Sequence, residues 1–178
     1  HLVPRDSFWA VSGLFEYVAF VVIPNGNLTK YYSNTTGRQH LSEAAGSKRV
    51  RKTSNSFEFT SWWADAQNKP ITDLSPFAKT FFAKHTLLNI LTRYCVLTAD
   101  KMLLVMRPYQ IVGTEKILQK IEISTNYKQL GTIGAGGYVW HTTGSGKTLT
   151  SFTAAQRAPK LPPVDKVCVV VARRVPAH

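Results

Sequence analysis

Trp140-His141-Thr142-Thr143-Gly144-Ser145-Gly146-Lys147-Thr148 is the stretch that decides how this chain folds. Two closely spaced glycines let backbone N–H groups converge on phosphate oxygens. A lysine directly after the second reaches for the β/γ-phosphates, and a hydroxyl after the lysine suits Mg²⁺. Gly144, Gly146, Lys147 and Thr148 meet these needs, with Thr143 and Ser145 as the intervening loop residues. The full pattern places a further glycine five residues before Gly146, where this chain has His141.

The flanks extend that reading. Gly137-Tyr138-Val139-Trp140 is short, apolar and β-prone, so a strand is expected ahead of the loop. Leu149 to Gln156 lacks Pro and Gly and suits a helix. Strand, loop and helix in that order aim a helix N-terminus at an anion. Beyond the proline-bearing connector Lys160–Asp165, the continuous β-branched run Lys166–Val171 predicts a buried parallel strand. Upstream lies Arg107-Pro108-Tyr109-Gln110. Pro108 opens a helix expected to reach about Ile121, and the polar, glycine-bearing Ser124–Gly136 reads as a loop. A glutamine amide carries one donor and one acceptor face, which match adenine N6 and N7. Gln110 near a helix start, upstream of a phosphate loop, is therefore a candidate adenine reader.

Closer to the N-terminus, Tyr17–Ile23 and Leu28–Ser33 read as strands joined through Pro24-Asn25-Gly26-Asn27, and Phe57–Trp63 as a third strand. Between them Thr35–Ser56 is polar and carries Lys48, Arg49, Arg51 and Lys52. Asp73-Leu74-Ser75-Pro76 is a helix start, with Ser75 expected as N-cap and Pro76 at the first helical position. Phe77, Phe81, Leu88, Leu91 and Cys95 then share one face of a helix expected to run to Tyr94. His85 on that helix reads as a packed or surface residue. Thr98–Lys101 is a turn and Met102–Met106 a strand. His1-Leu2-Val3-Pro4-Arg5 resembles the remnant of a cleavable tag.

The chain has 178 residues, 44% of them hydrophobic, and a formal net charge of +12. Residues 1–100 carry +4 of that and residues 101–178 carry +8. The excess favours a polyanionic partner such as nucleic acid. The longest apolar run, Val18–Ile23, is too short to span a bilayer, so no membrane role is expected. No secretory leader is visible. Cys95 and Cys168 lack metal-ligand spacing and read as buried free thiols of a reducing, cytoplasmic compartment.

A resemblance then becomes specific. It is carried by Leu14-Phe15-Glu16-Tyr17, Asn25-Gly26, Lys30-Tyr31-Tyr32-Ser33-Asn34, Ser54-Asn55-Ser56-Phe57-Glu58-Phe59-Thr60, Phe82 to Leu91, Val105 to Gln110 and Gly136 to Phe152. From Leu14 to about Val170 the chain resembles the motor-and-nuclease (R) subunit of type I restriction enzymes. His141 in place of the first loop glycine is part of that likeness. The resemblance implies an α/β fold: the end of a restriction-endonuclease-like mixed sheet over residues 12–100, then the incomplete start of a RecA-like lobe over 101–178. Residues 1–11 are a tag remnant or divergent segment. It implies ATP and Mg²⁺ as cofactors, with Arg107, Gln110 and Thr143–Thr148 as the ATP-binding set and Thr148 on the metal. It implies DNA and the specificity and methyltransferase subunits as partners.

It also marks what these residues do not supply. A nuclease of this type needs an E-x-K, and none of the ten acids is followed two positions on by lysine. Hydrolysis needs an acidic pair on a later strand, and the only acid after Lys147 is Asp165. This stretch alone is therefore expected to be inactive, with no catalytic residue of its own. Ala172–His178 departs from the family pattern. Lys48, Arg49, Arg51 and Lys52 stand open between contacting DNA phosphates, reaching a neighbouring motor lobe, and forming a solvated loop. Two other functions compete: a different phosphate-loop module such as a small kinase, and a non-catalytic DNA-binding or assembly piece.

Overall fold

A computed structural model describes residues 18–35 and 60–170 of the chain. The basic residues Lys48, Arg49, Arg51 and Lys52, the tag-like start and the divergent end lie outside the described residues. The chain divides into two compact units, His1–Pro108 and Tyr109–His178.

In the first unit, β1 (Phe20–Asn25) and β2 (Leu28–Ser33) form the expected hairpin, in register from Phe20 opposite Ser33 to Asn25 opposite Leu28. Gly26 turns the chain at φ +54°, a conformation that costs glycine nothing. β3 (Ser61–Trp62) adds to the far edge of β2 through Lys30 opposite Trp62 and Tyr31 opposite Ser61. All these pairings among the described residues are antiparallel. Alternation along β2 buries Thr29, Tyr31 and Ser33 on one face.

Against that face pack α1 (Leu74–Phe81) and α2 (Lys84–Arg93). Tyr31, Phe77, Phe81 and Ile90 form the buried core, with Phe20, Val22, Trp63 and Leu87 around it. The rings interlock: Phe77 stacks on Phe81 at 4.9 Å, and Trp63 meets Phe81 edge-on at 5.2 Å. Where one long helix was expected, there are two. Ala83 takes ψ +130°, outside the helical range, and breaks the run after Phe82. The break re-phases the second helix relative to the first. Ile90 and Tyr94 are buried, while Leu88 and Leu91, assigned to the inner face by unbroken periodicity, are exposed. The helix start also differs: Asp73 holds the N-cap position without a side-chain bond, and Ser75 lies inside the helix.

Cys95 belongs to a strand rather than to a helix. β4 (Cys95–Leu97) pairs antiparallel with β5 (Leu103–Val105) across the expected turn, where Thr98 N–H donates to Met102 O at 2.9 Å. A three-residue strand is too short to show a period in sequence.

In the second unit, α3 (Pro108–Asn126) opens on the expected proline and runs beyond Ile121. After Gly113, no Gly or Pro occurs until Gly131, so Ser124–Asn126 join the helix rather than a loop. A single turn at Ile133–Ala135 follows, then the loop, then α4 (Lys147–Arg157). Two strand expectations fail here. Gly137–Trp140 and the described part of Lys166–Val171 are irregular, with Tyr138 89% and Val170 89% exposed. A parallel strand exists only when paired, and no other strand occurs among the described residues of this unit. The same difference leaves Cys168 exposed where burial was expected.

Candidate nucleotide-binding site

The glycine loop is built as its sequence requires. Gly144 and Gly146 have φ of +77° and +80°, left-handed conformations that a side chain disfavours. Ser145 N–H donates to Thr142 O at 3.3 Å, and Ser145 Oγ donates to the same carbonyl at 2.6 Å, closing the turn. Gly146 is the N-cap of α4, and Lys147 its first residue. Among the described residues, the N–H groups of Gly144, Gly146, Lys147 and Thr148 have no intramolecular acceptor. Leu149 and Thr150 N–H both return to Gly146 O, at 3.0 and 3.3 Å. Unpaired amides beside the positive end of a helix form an anion-binding cradle.

Lys147 folds over this cradle. Its ammonium donates to Thr142 O at 3.0 Å and to His141 O at 3.4 Å. Phosphate oxygens would replace these neutral acceptors with charge-assisted ones at little cost in rearrangement. Thr148 is exposed one position on. Among the described residues, no group of three His, Cys, Asp or Glu could hold a metal.

The start of α3 lies against the loop. Gln110 is buried, and its Nε2 donates to Ser145 O at 3.0 Å and to Gly146 O at 3.3 Å. A Cβ on Gly146 would collide with that amide nitrogen. The structure thus brings Gln110 together with Gly144–Thr148, with its amide donor turned to the loop. Arg107 is exposed and belongs to the other unit. Thr143 is exposed at the crest of the loop.

Two contributors escape the motif. Tyr109 OH donates to Ser145 O at 2.7 Å. The Tyr109 ring also stands edge-on to His141, at 5.4 Å and 90°. The sequence marked His141 only as the residue standing where the pattern has glycine, and Tyr109 only as a neighbour of Gln110; it gave neither a role in the loop.

Residues 109–175 match the family model of the SWI2/SNF2 ATPase. The chain is also similar to type I restriction enzyme endonuclease subunits. It is 43% identical over 134 residues to the EcoprrI subunit of Escherichia coli, covering 75% of this chain and 38% of that one. It is 48% identical over 113 residues to a protein named as the C-terminal part of such a subunit in Mycoplasma pneumoniae, covering 63% and 55%. It is 36% identical over 164 residues to a subunit of Staphylococcus aureus strain COL, covering 92% and 15%. The chain thus spans between about one seventh and about half of the relatives it matches.

Proposed function

Since the chain is a relative of the endonuclease (R) subunits of type I restriction enzymes, related to a part of each, we propose that its second unit holds the ATP–Mg²⁺ site of a DNA-translocating, DNA-cleaving subunit. The cradle formed by the unpaired amides of Gly144, Gly146, Lys147 and Thr148 beneath the Lys147 side chain carries this reading. Phosphates sit on the cradle, Lys147 turns to their β/γ-oxygens, and Thr148 takes the metal. Gln110 reads the adenine, and Arg107 belongs to the same ATP-binding set. When bound, Mg²⁺ spreads phosphate charge and orients the terminal group for attack by water.

In the intact cytoplasmic subunit, hydrolysis drives DNA past a complex that includes the specificity and methyltransferase subunits. Residues 12–100 belong to the nuclease domain and 101–178 to the first motor lobe. Lys48, Arg49, Arg51 and Lys52 contact DNA phosphates or the neighbouring lobe. No helix among the described residues is long and apolar enough to cross a membrane. These 178 residues alone do not turn over ATP, because Asp165 is the only acid after Lys147 and lies exposed in a connector.

The test is titration of a fluorescent ATP analogue onto the chain, with GTP as competitor. Lys147→Ala should abolish binding. Gln110→Ala also removes two loop bonds, so the ATP-to-GTP ratio, not the affinity, reports base reading: the preference for adenine should vanish. Equal binding of ATP and GTP by the unaltered chain rules out an adenine-reading Gln110. Steady phosphate release that depends on Lys147 rules out the claim of no turnover.

A further inference from the structure

We propose that Tyr109 and His141 are a pair of positioning residues that orient the loop amides toward phosphate, an inference that rests on the phosphate-site reading above. A trans peptide carries its C=O and N–H on opposite sides, and no cis bond occurs among the described residues. Whatever holds Ser145 O therefore sets the direction of Gly146 N–H. Two donors hold it: Tyr109 OH at 2.7 Å and Gln110 Nε2 at 3.0 Å, from consecutive residues of α3. Gln110 Nε2 also reaches Gly146 O at 3.3 Å, a carbonyl that the Leu149 and Thr150 N–H groups of α4 already hold. With Ser145 O drawn to α3, Gly146 N–H faces away from it and has no intramolecular acceptor among the described residues.

Gln110 alone cannot keep this arrangement once its amide turns to a base. The Tyr109 hydroxyl has no second assignment and continues to hold Ser145 O. Its aim depends on the ring, and the ring is braced edge-on by His141 at 5.4 Å and 90°. A glycine at 141 would leave that edge unsupported. The imidazole lies against α3: a Cβ on Gly113 would meet His141 Nε2 at 3.8 Å, an ordinary contact. The unusual residue of the loop thus braces the tyrosine that grips it.

The experiment measures affinity of the chain for ATP and for inorganic tripolyphosphate, which has phosphates but no base. Tyr109→Phe keeps the ring and removes one hydrogen bond, so affinity for both ligands should fall about three- to tenfold. The ATP-to-GTP ratio and the number of sites should be unchanged. His141→Ala should weaken both ligands too, and His141→Phe, which restores an aromatic edge, should recover most of the loss. Lys147→Ala serves as the blank. Unchanged affinity in Tyr109→Phe overturns the proposal while leaving the phosphate site standing. Fewer sites at unchanged affinity also overturn it, since that marks misfolding. If the unaltered chain binds neither ATP nor tripolyphosphate, the phosphate-site reading fails and this proposal with it.

Discussion

At the loop, single atoms separate two glycines that look alike in sequence. Gly144 and Gly146 share the left-handed conformation, which costs alanine about 1–2 kcal/mol. A Cβ on Gly144 meets nothing within 4 Å, whereas one on Gly146 runs into the Gln110 amide. Thermal denaturation should therefore show Gly146→Ala as the more damaging change. Combining it with Gln110→Ala should cost less than the sum, because the collision partner is gone. Equal losses at 144 and 146 would mean that Gln110 does not press on the loop. The two cysteines diverge in the same way. Burial pushes the Cys95 thiol up from 9.0 to about 11, and Cys168 is exposed. Because a raised thiol pKa withholds the reactive thiolate, Cys95 at pH 8 should react about a hundredfold more slowly than a thiol at its ordinary value. Peptide mapping after brief treatment with a thiol reagent should find the label on Cys168 first.

Among the elements, the break at Ala83 has the largest consequence. Unbroken periodicity puts Leu88 and Leu91 inside, whereas the two-helix arrangement buries Ile90 and leaves Leu88 53% exposed. Ile90→Ala should cost about 2–5 kcal/mol, as large-to-small changes in a core do. Leu88→Ala should cost well under half as much, and urea denaturation of both would reveal a single continuous helix by reversing that order. In α3, Gly113 sits mid-helix, and a methyl group placed on it would meet its neighbours at ordinary contact distances: 3.5 Å to Thr150 Cγ2 and 3.9 Å to Val139 Cγ1. Gly113→Ala should therefore fit and raise stability by about 0.5–1 kcal/mol through lower backbone entropy in the unfolded chain. A fall in melting temperature would show that the helix and loop pack more tightly than these distances allow. The element boundaries were legible where a residue forces them, as at Pro108 and at the Asn25-Gly26 turn. They were not legible at Ala83 or β4, where no residue type marks the change.

For the molecule as a whole, the exposed apolar residues of the second unit matter most. Ile133 is fully exposed, Tyr138 and Trp140 are nearly so, and Val167, Val169 and Val170 are open to solvent. Such residues favour association, while a net charge of +12 opposes it. Salt screens the charge without weakening apolar contacts, so association should rise with both protein concentration and salt. Light scattering across a salt series checks this, and scattering that falls with salt would mark the association as electrostatic instead.

The sequence by itself determined the backbone of the loop, because Gly144 and Gly146 take left-handed conformations that glycine adopts freely. It also determined the first hairpin, through alternation and an Asn-Gly turn, and the kinship with restriction-enzyme subunits, through contiguous motifs. Only the tertiary structure decided that Gln110 and Tyr109 grip the loop carbonyls, that His141 braces Tyr109, and which leucines face outward. Contacts between residues distant in the chain depend on how helices are phased and packed, and no local pattern encodes that phase. Strand pairing is the clearest case. Gly137–Trp140 and Lys166–Val170 have strand composition, but a strand is a relation between two segments, and a partner has to be in place before either becomes one.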